Sequence, residues 1–144
     1  MSCDQNLELE FLTSADTKGL PLSEAVRVGK MLYLSGQLGR TGATQLVPGG
    51  IAAETRQALE NVKAVLERHG SSLDHVVKTT VMLAEIGERG EMTRVYETYF
   101  PNHRPARTAF GTSGLALGAR VEIECVAVLK VTPTGKLETA VAHS

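Results

Sequence analysis

The sequence contains no tryptophan, and aromatic residues make up only 4% of it. Stacking platforms for single-stranded nucleic acid are therefore scarce. An excess of charge is also missing: 15 basic residues face 16 acidic ones, a formal net charge of −1. That balance provides neither the basic stripe that nucleic acid selects nor the attraction that holds a protein on an anionic membrane. Cysteine occurs only at Cys3 and Cys125, too little for a disulfide framework. No run of about 18 apolar residues is present, so no helix is expected to span a bilayer. The N-terminal stretch has no basic start followed by an apolar run, so no secretory signal is expected, and a reducing, cytoplasmic setting follows. His69, His75, His103 and His143 form no i,i+4 pair and no Cys-x-x-Cys occurs, so these histidines read as surface or loop residues and no metal centre is expected. The glycine-rich loops lack Gly-Lys-Ser/Thr and Gly-x-Gly-x-x-Gly, which leaves no phosphate cradle, and there is no Gly-x-Ser-x-Gly nucleophile elbow.

What is present is one domain's worth of chain: 144 residues, 42% of them hydrophobic, enough to bury a core. Leu7 to Phe11 alternates apolar and charged residues and predicts a short strand. Leu22 to Val28 and Met31 to Ser35 flank Gly29-Lys30 and read as a hairpin. Gly39 to Gly50 is dense in glycine and reads as a loop. Apolar residues at Ile51, Ala58, Leu59, Val62, Val65 and Leu66 predict a helix over Ile51 to His69, capped by Gly50 and followed by Gly70. Val76 to Leu83 is β-branched and predicts a strand. Met92, Val95, Tyr96 and Tyr99 share the core face of a helix over Glu88 to Phe100, which Pro101 stops. Thr108 to Phe110 is a strand, Gly111 to Gly118 a loop, and the last strand places Val121, Ile123, Cys125, Ala127 and Leu129 opposite Glu122, Glu124, Val126 and Val128. The order β-β-β-α-β-α-β-β implies an α+β fold, a mixed sheet with both helices on one face. Its other face then needs cover, which an oligomer supplies. An N-terminal segment over 1–18, a domain over 19–131 and a frayed tail over 132–144 complete the expectation.

Two positions stand out for chemistry. Arg107 follows Pro105 and opens a strand at a loop edge, where a guanidinium can grip a carboxylate through two parallel N–H···O bonds. Spacing alone favours a surface ion pair. Glu122 lies in a strand interior, where glutamate is depleted. Desolvated, its pKa rises and it becomes a proton shuttle near neutral pH; on an exposed edge or in an ion pair it does neither, and periodicity does not choose. Cys125, on the apolar face, reads as a buried, inert thiol.

Pro21-Leu22-Ser23-Glu24-Ala25-Val26, Ser35-Gly36-Gln37, Thr55 to Asn61, Val77 to Val81, Tyr96 to Phe100, Arg104-Pro105-Ala106-Arg107 and Val121 to Glu124 occur in this order over Gly19 to Lys130. Together they resemble the RidA (YjgF) family of reactive-intermediate enamine/imine deaminases, also named L-PSP endoribonucleases or translation inhibitors. The resemblance implies a chorismate-mutase-like fold and a homotrimer whose sheets meet in a central barrel, with active sites in the clefts between subunits. It implies hydrolysis of 2-imino acids, formed from enamines such as 2-aminoacrylate, to 2-keto acids and ammonia, with no metal or organic cofactor. By the resemblance Arg107 holds the substrate carboxylate, Glu122 activates water, Ser35 and Gly36 line the pocket, and the backbone at Ala109 orients ligand and water. Leu22 stands where the family has Tyr, Glu24 where it has Gln, Thr93 where it has Asn and Ala109 where it often has Cys. These changes make the wall near Leu22 more apolar and allow two other readings: a trimer that senses 2-keto acids without turnover, or an endoribonuclease, which the charge balance disfavours.

Overall fold

The computed structural model describes residues 8–130. The expectations for Cys3, His143, Leu7 and the tail over 132–144 lie outside them. The chain forms one mixed α+β domain. Strand β1 (Leu9–Leu12) pairs with β2 (Ala25–Val28), and β2 with β3 (Met31–Leu34), all antiparallel. Gly29, at φ 58°, makes the β2–β3 turn, a left-handed conformation that glycine enters without a Cβ penalty. Two-residue strands β4 (Gln37–Leu38), β5 (Arg40–Thr41) and β6 (Gln45–Leu46) lead into helix α1 (Gly50–Arg68). Strand β7 (Val76–Leu83), helix α2 (Arg89–Tyr96), β8 (Ala106–Gly111) and β9 (Val121–Val128) follow. The sheet runs β1-β2-β3-β9-β7-β8, with β4 beside β3 on β9. Only β7 and β8 are parallel, and α2 is the crossover that a parallel pair requires.

Both helices cover one sheet face. Ile51, Ala58, Leu59, Val62, Val65 and Leu66 of α1 are buried together with Val81, Leu83, Val121, Ile123, Cys125 and Ala127. The other face, through the register Phe11↔Val26↔Tyr33↔Val126, presents apolar side chains to solvent: Phe11 is 67% and Tyr33 46% exposed. Among the described residues no helix is long and apolar enough to cross a membrane.

Several elements differ from expectation, among them β4, which has no counterpart in the expected order, and β8, which begins at Ala106 rather than Thr108. The cap of α1 falls on Gly49, one residue before the expected Gly50. The glycine-rich loop contains the β5–β6 hairpin, because Arg40 Nη1 donates to the Gly42 and Ala43 carbonyls (2.6 and 3.0 Å) and Asn61 Nδ2 donates to those of Leu38 and Arg40 (3.0 and 2.9 Å). The second helix ends at Tyr96 and tightens into a 3₁₀ turn over Glu97–Tyr99, where the Thr98 hydroxyl donates to the Val95 carbonyl at 2.6 Å and competes with the helical ladder.

Glu24 is only 2% exposed and ties three elements together. Its carboxylate accepts from Ser14 Oγ (2.8 Å) and Arg68 Nη2 (2.6 Å), and it contacts His69 Nε2 (2.6 Å). Burial pushes its pKa up, but the bonds from Arg68, His69 and Ser14 outweigh burial and hold it below the usual carboxylate range. Glu24→Gln is therefore expected to cost about 1–2 kcal/mol at neutral pH, reduced from a fully buried value by the exposure of Arg68. The folded carboxyl has the lower pKa, so this stability is present above the unfolded-state value and fades as pH falls through the folded one. Urea unfolding of both proteins over a pH series checks this: the gap between them should close in acid.

Candidate active site

Pro105 holds the chain extended into β8, and the next strand residues alternate between the two faces of the sheet. Arg107 pairs in register with Thr79, which itself pairs with Cys125, so the three share a row on the helix-covered face. Arg107 Nη1 donates to Thr93 Oγ1 on α2 at 3.1 Å, and the guanidinium lies over the Tyr96 ring, 5.0 Å from its centroid. Arg107, Thr93 and Tyr96 line a cavity of about 150 Å³ together with Glu97, Phe100, Arg104 and Pro105. Among the described residues no carboxylate lies within ion-pair distance of Arg107, although Glu97 lines the same cavity. Ala109, two residues on, faces the same side and packs against the core. Strand β8 is the last strand of the sheet, so this group sits at its edge.

Glu122 belongs to a different surface. It pairs with Met82 and Leu38 in register, and alternation along β9 turns it to the face opposite Val121 and Ile123. Burial, then the charge of Glu124, pushes its pKa up, and among the described residues no hydrogen-bond donor counters the rise. The carboxyl lies against Gly36: a Cβ there would come within 2.8 Å of Glu122 Cδ and 3.0 Å of its Cγ. Gly36 is not in the left-handed region, so alanine suits its backbone, and the nearest atoms it meets all belong to this side chain. Gly36→Ala should swing the carboxylate into solvent and bring the Glu122 pKa down toward its ordinary value, read by NMR titration of the carboxyl carbon. An unchanged titration would mean that Gly36 does not shape its surroundings. Ser35, beside Gly36, donates its hydroxyl to the Ser23 carbonyl at 2.6 Å and so fixes the loop that carries Leu22, which is 47% exposed.

Arg107, Thr93 and Ala109 thus come together, and Glu122 comes together with Gly36. Arg107 and Glu122 do not meet within one chain, because they project from opposite faces of the sheet. Cys125 is buried and its thiol is pushed up to about 12, first by burial and then by Glu124, so it is not a nucleophile at neutral pH. A larger cavity, about 300 Å³, lies beside α1 and is lined by Glu24, Gln37, Arg40, Asn61 and Arg68. Arg40, Asn61, Glu24 and Arg68 there are already paired with each other or with main-chain carbonyls, and the cavity touches none of Arg107, Thr93, Ala109, Glu122 and Gly36. Tyr96 and Thr79 were not visible as site residues: Tyr96 sits at helical core spacing, and only the register of β7 with β8 brings Thr79 to Arg107.

A family model described as endoribonuclease L-PSP matches residues 15–129. The mouse protein named 2-iminobutanoate/2-iminopropanoate deaminase is 45% identical over 109 residues, 75% of this chain and 81% of its own length. The chain belongs to the RidA (YjgF) family. The human protein of the same name is 42% identical over 118 residues, 81% of this chain and 86% of the human one. The RidA fold extends to solved structures: the YjgF gene product of E. coli matches with a TM-score of 0.76 at 31% identity, over 84% of this chain and 99% of that one. Yeast Mmf1 matches with a TM-score of 0.75 at 33% identity, over 86% and 97%. The RidA match begins at residue 15, inside the stretch read from sequence as an N-terminal segment, and β1 adds a sheet edge upstream of it.

Proposed function

We propose that this protein is a cytoplasmic hydrolytic deaminase that converts 2-imino acids to 2-keto acids and ammonia, as a homotrimer of chorismate-mutase-like subunits whose sheets face a central barrel. Support comes from relatives at 42–46% identity named for this reaction on 2-iminobutanoate and 2-iminopropanoate. The observation that carries the reading is the pair of half-sites among the described residues: a guanidinium with no carboxylate in ion-pair distance on one face and a desolvated, unpartnered carboxylate on the other. A second copy that covers the apolar face bearing Phe11 and Tyr33 brings its own half-site up to the β8 edge. Arg107 of one chain then meets Glu122, Gly36, Ser35 and Leu22 of the next.

In this cleft Arg107 grips the substrate carboxylate through two N–H···O bonds. That places the adjacent C=N carbon beside a water held by Glu122. The carboxylate takes a proton from water as its oxygen bonds to carbon, giving a carbinolamine. That proton goes to the nitrogen, completing the carbinolamine's amino group; the carboxylate then carries the carbinol O–H proton to the same nitrogen, the C–N bond breaks, and ammonia leaves as the C=O forms. One imine and one water give one keto acid and one ammonia, with no covalent enzyme intermediate. Leu22, where the family has Tyr, gives the pocket an apolar wall that favours larger apolar side chains.

The test is a coupled assay. An amino-acid oxidase with catalase generates imines from a panel of amino acids, and semicarbazide traps what remains. Wild-type protein should speed imine loss, most for apolar side chains, and Arg107→Ala should not. No acceleration with any imine, while 2-keto acids still bind, would make the protein a keto-acid binder instead. RNA cleavage that persists in Arg107→Ala would place any nuclease activity elsewhere.

A further inference from the structure

Arg107 is held entirely by neutral groups. Its guanidinium touches the Thr93 hydroxyl and the Tyr96 ring, and no carboxylate lies within ion-pair distance among the described residues. A carboxylate would hold the cation equally well, but it would also cancel its charge and compete with an incoming anion. A ring face attracts the cation through its quadrupole and leaves that charge available.

The ring itself is fixed on several sides. Tyr96 is 7% exposed, and its ring lies 4.9 Å from that of Phe100. Its hydroxyl shares a hydrogen bond of 2.7 Å with Thr79 Oγ1, and Thr79 is 1% exposed. Thr79 is the direct register partner of Arg107, so the anchor of the ring and the residue under it stand side by side on neighbouring strands. Packing alone does not ask for these hydroxyls: Phe and Val would fill the same volume in this core without two polar atoms to satisfy. What the pair adds is orientation, since a phenol tethered at its far end cannot tilt away from the guanidinium. Burial, opposed by the Thr79 bond and the nearby Arg107 charge, keeps the phenol protonated well above neutral pH, so the plate stays neutral.

We infer that Tyr96, locked by Thr79, is a positioning residue that pre-orients the Arg107 guanidinium for carboxylate binding, which rests on the proposed role of Arg107. The arrangement acts through Arg107 and touches no reacting atom. It lowers the ordering cost of a long, flexible side chain before the ligand arrives.

The experiment uses the full chain, with 2-oxobutanoate as the probe ligand. Tyr96→Leu, Tyr96→Phe and Thr79→Val are each made alone, and Tyr96→Leu also in the Arg107→Ala background. Tyr96→Leu should raise the Kd for 2-oxobutanoate roughly 3- to 30-fold. Tyr96→Phe and Thr79→Val, which keep a ring but free it, should give smaller rises. In the Arg107→Ala background Tyr96→Leu should add nothing, because its effect runs through the guanidinium. In the free protein the Arg107 Nε–Hε NMR resonance should carry the ring-current shift of Tyr96 and lose it in Tyr96→Leu. Equal effects of Tyr96→Leu in both backgrounds, or a resonance that does not move, would overturn the inference and leave Tyr96 a core residue. A lower Tm without a changed resonance would do the same. If Tyr96→Leu does not fold, the resonance in Tyr96→Phe and Thr79→Val decides. Failure of the deaminase reading looks different: no imine hydrolysis by wild type while the resonance still answers to Tyr96.

Discussion

Arg107→Ala chains and Glu122→Gln chains, each nearly inactive alone, are expected to regain activity when refolded together. The geometry behind this is the opposition of the two residues across the sheet: Arg107 faces α2 and Glu122 faces the apolar open side. Alone, Arg107→Ala removes two charge-assisted hydrogen bonds to the substrate and should lower kcat/KM by roughly 10²- to 10³-fold. In the proposed cyclic trimer each interface would take Arg107 from one chain and Glu122 from its neighbour. Any trimer with both kinds of chain therefore contains about one interface in three with both residues intact. Random assembly of equal amounts makes most trimers mixed, so roughly a quarter of wild-type activity should return. Initial imine-loss rates after co-refolding, against each variant refolded alone, give the number. A mixture no more active than its parts would mean that the two residues serve one site within a chain or no common site.

Glu122→Gln should separate chemistry from binding and raise stability while it lowers rate. The amide keeps the shape of the carboxyl but accepts no proton, so kcat should fall by roughly 10²- to 10⁴-fold. The Kd for 2-oxobutanoate should stay within about threefold, since Arg107 supplies that grip. Burial, and secondarily Glu124, raises the Glu122 pKa, and the sign of the stability effect follows. The folded state holds this proton more tightly than the unfolded one, so the carboxyl costs the fold nothing below its unfolded-state pKa and destabilises it as pH rises through the folded-state value. Glu122→Gln should therefore be more stable than wild type at neutral pH and match it in acid. For the same reason wild-type kcat/KM should climb with pH through the raised pKa, and the residual rate of the variant should not. Unfolding curves and pH–rate profiles of the two proteins check both halves. A variant that keeps wild-type kcat would remove Glu122 from the water-activating role.

Elements whose signal is local were legible. Strand β7 was read at its observed bounds because Val76 to Leu83 is a β-branched run. Strand β9 was legible because alternation separates Val121, Ile123, Cys125 and Ala127 from Glu122 and Glu124, and α1 because its apolar stripe repeats at helical spacing. The β5–β6 hairpin was not, since its closure depends on Asn61, far along the chain on α1. The ending of α2 at Tyr96 was not, since it turns on one hydroxyl, that of Thr98. Arg107 and Glu122 were legible as residues through a family resemblance, and their residue types alone left an ion pair and an exposed edge open.

By itself, then, the amino-acid order determined the α+β class, most element positions, an uncovered sheet face and the two residues most worth testing. The class, the elements and the uncovered face follow from short periods, about 2 in strands and about 3.6 in helices, which a chain carries wherever it folds; the two residues came through the family resemblance. The tertiary structure alone decided which face each residue serves. The parallel register of β7 with β8 turns Arg107 toward Thr93 and Tyr96 and sets Thr79 beside it, and the approach of Gly36 to β9 gives Glu122 its desolvated place. Strand pairing between distant segments has no local signature, and a shift of one residue in either register would send the same side chain to the other side of the sheet.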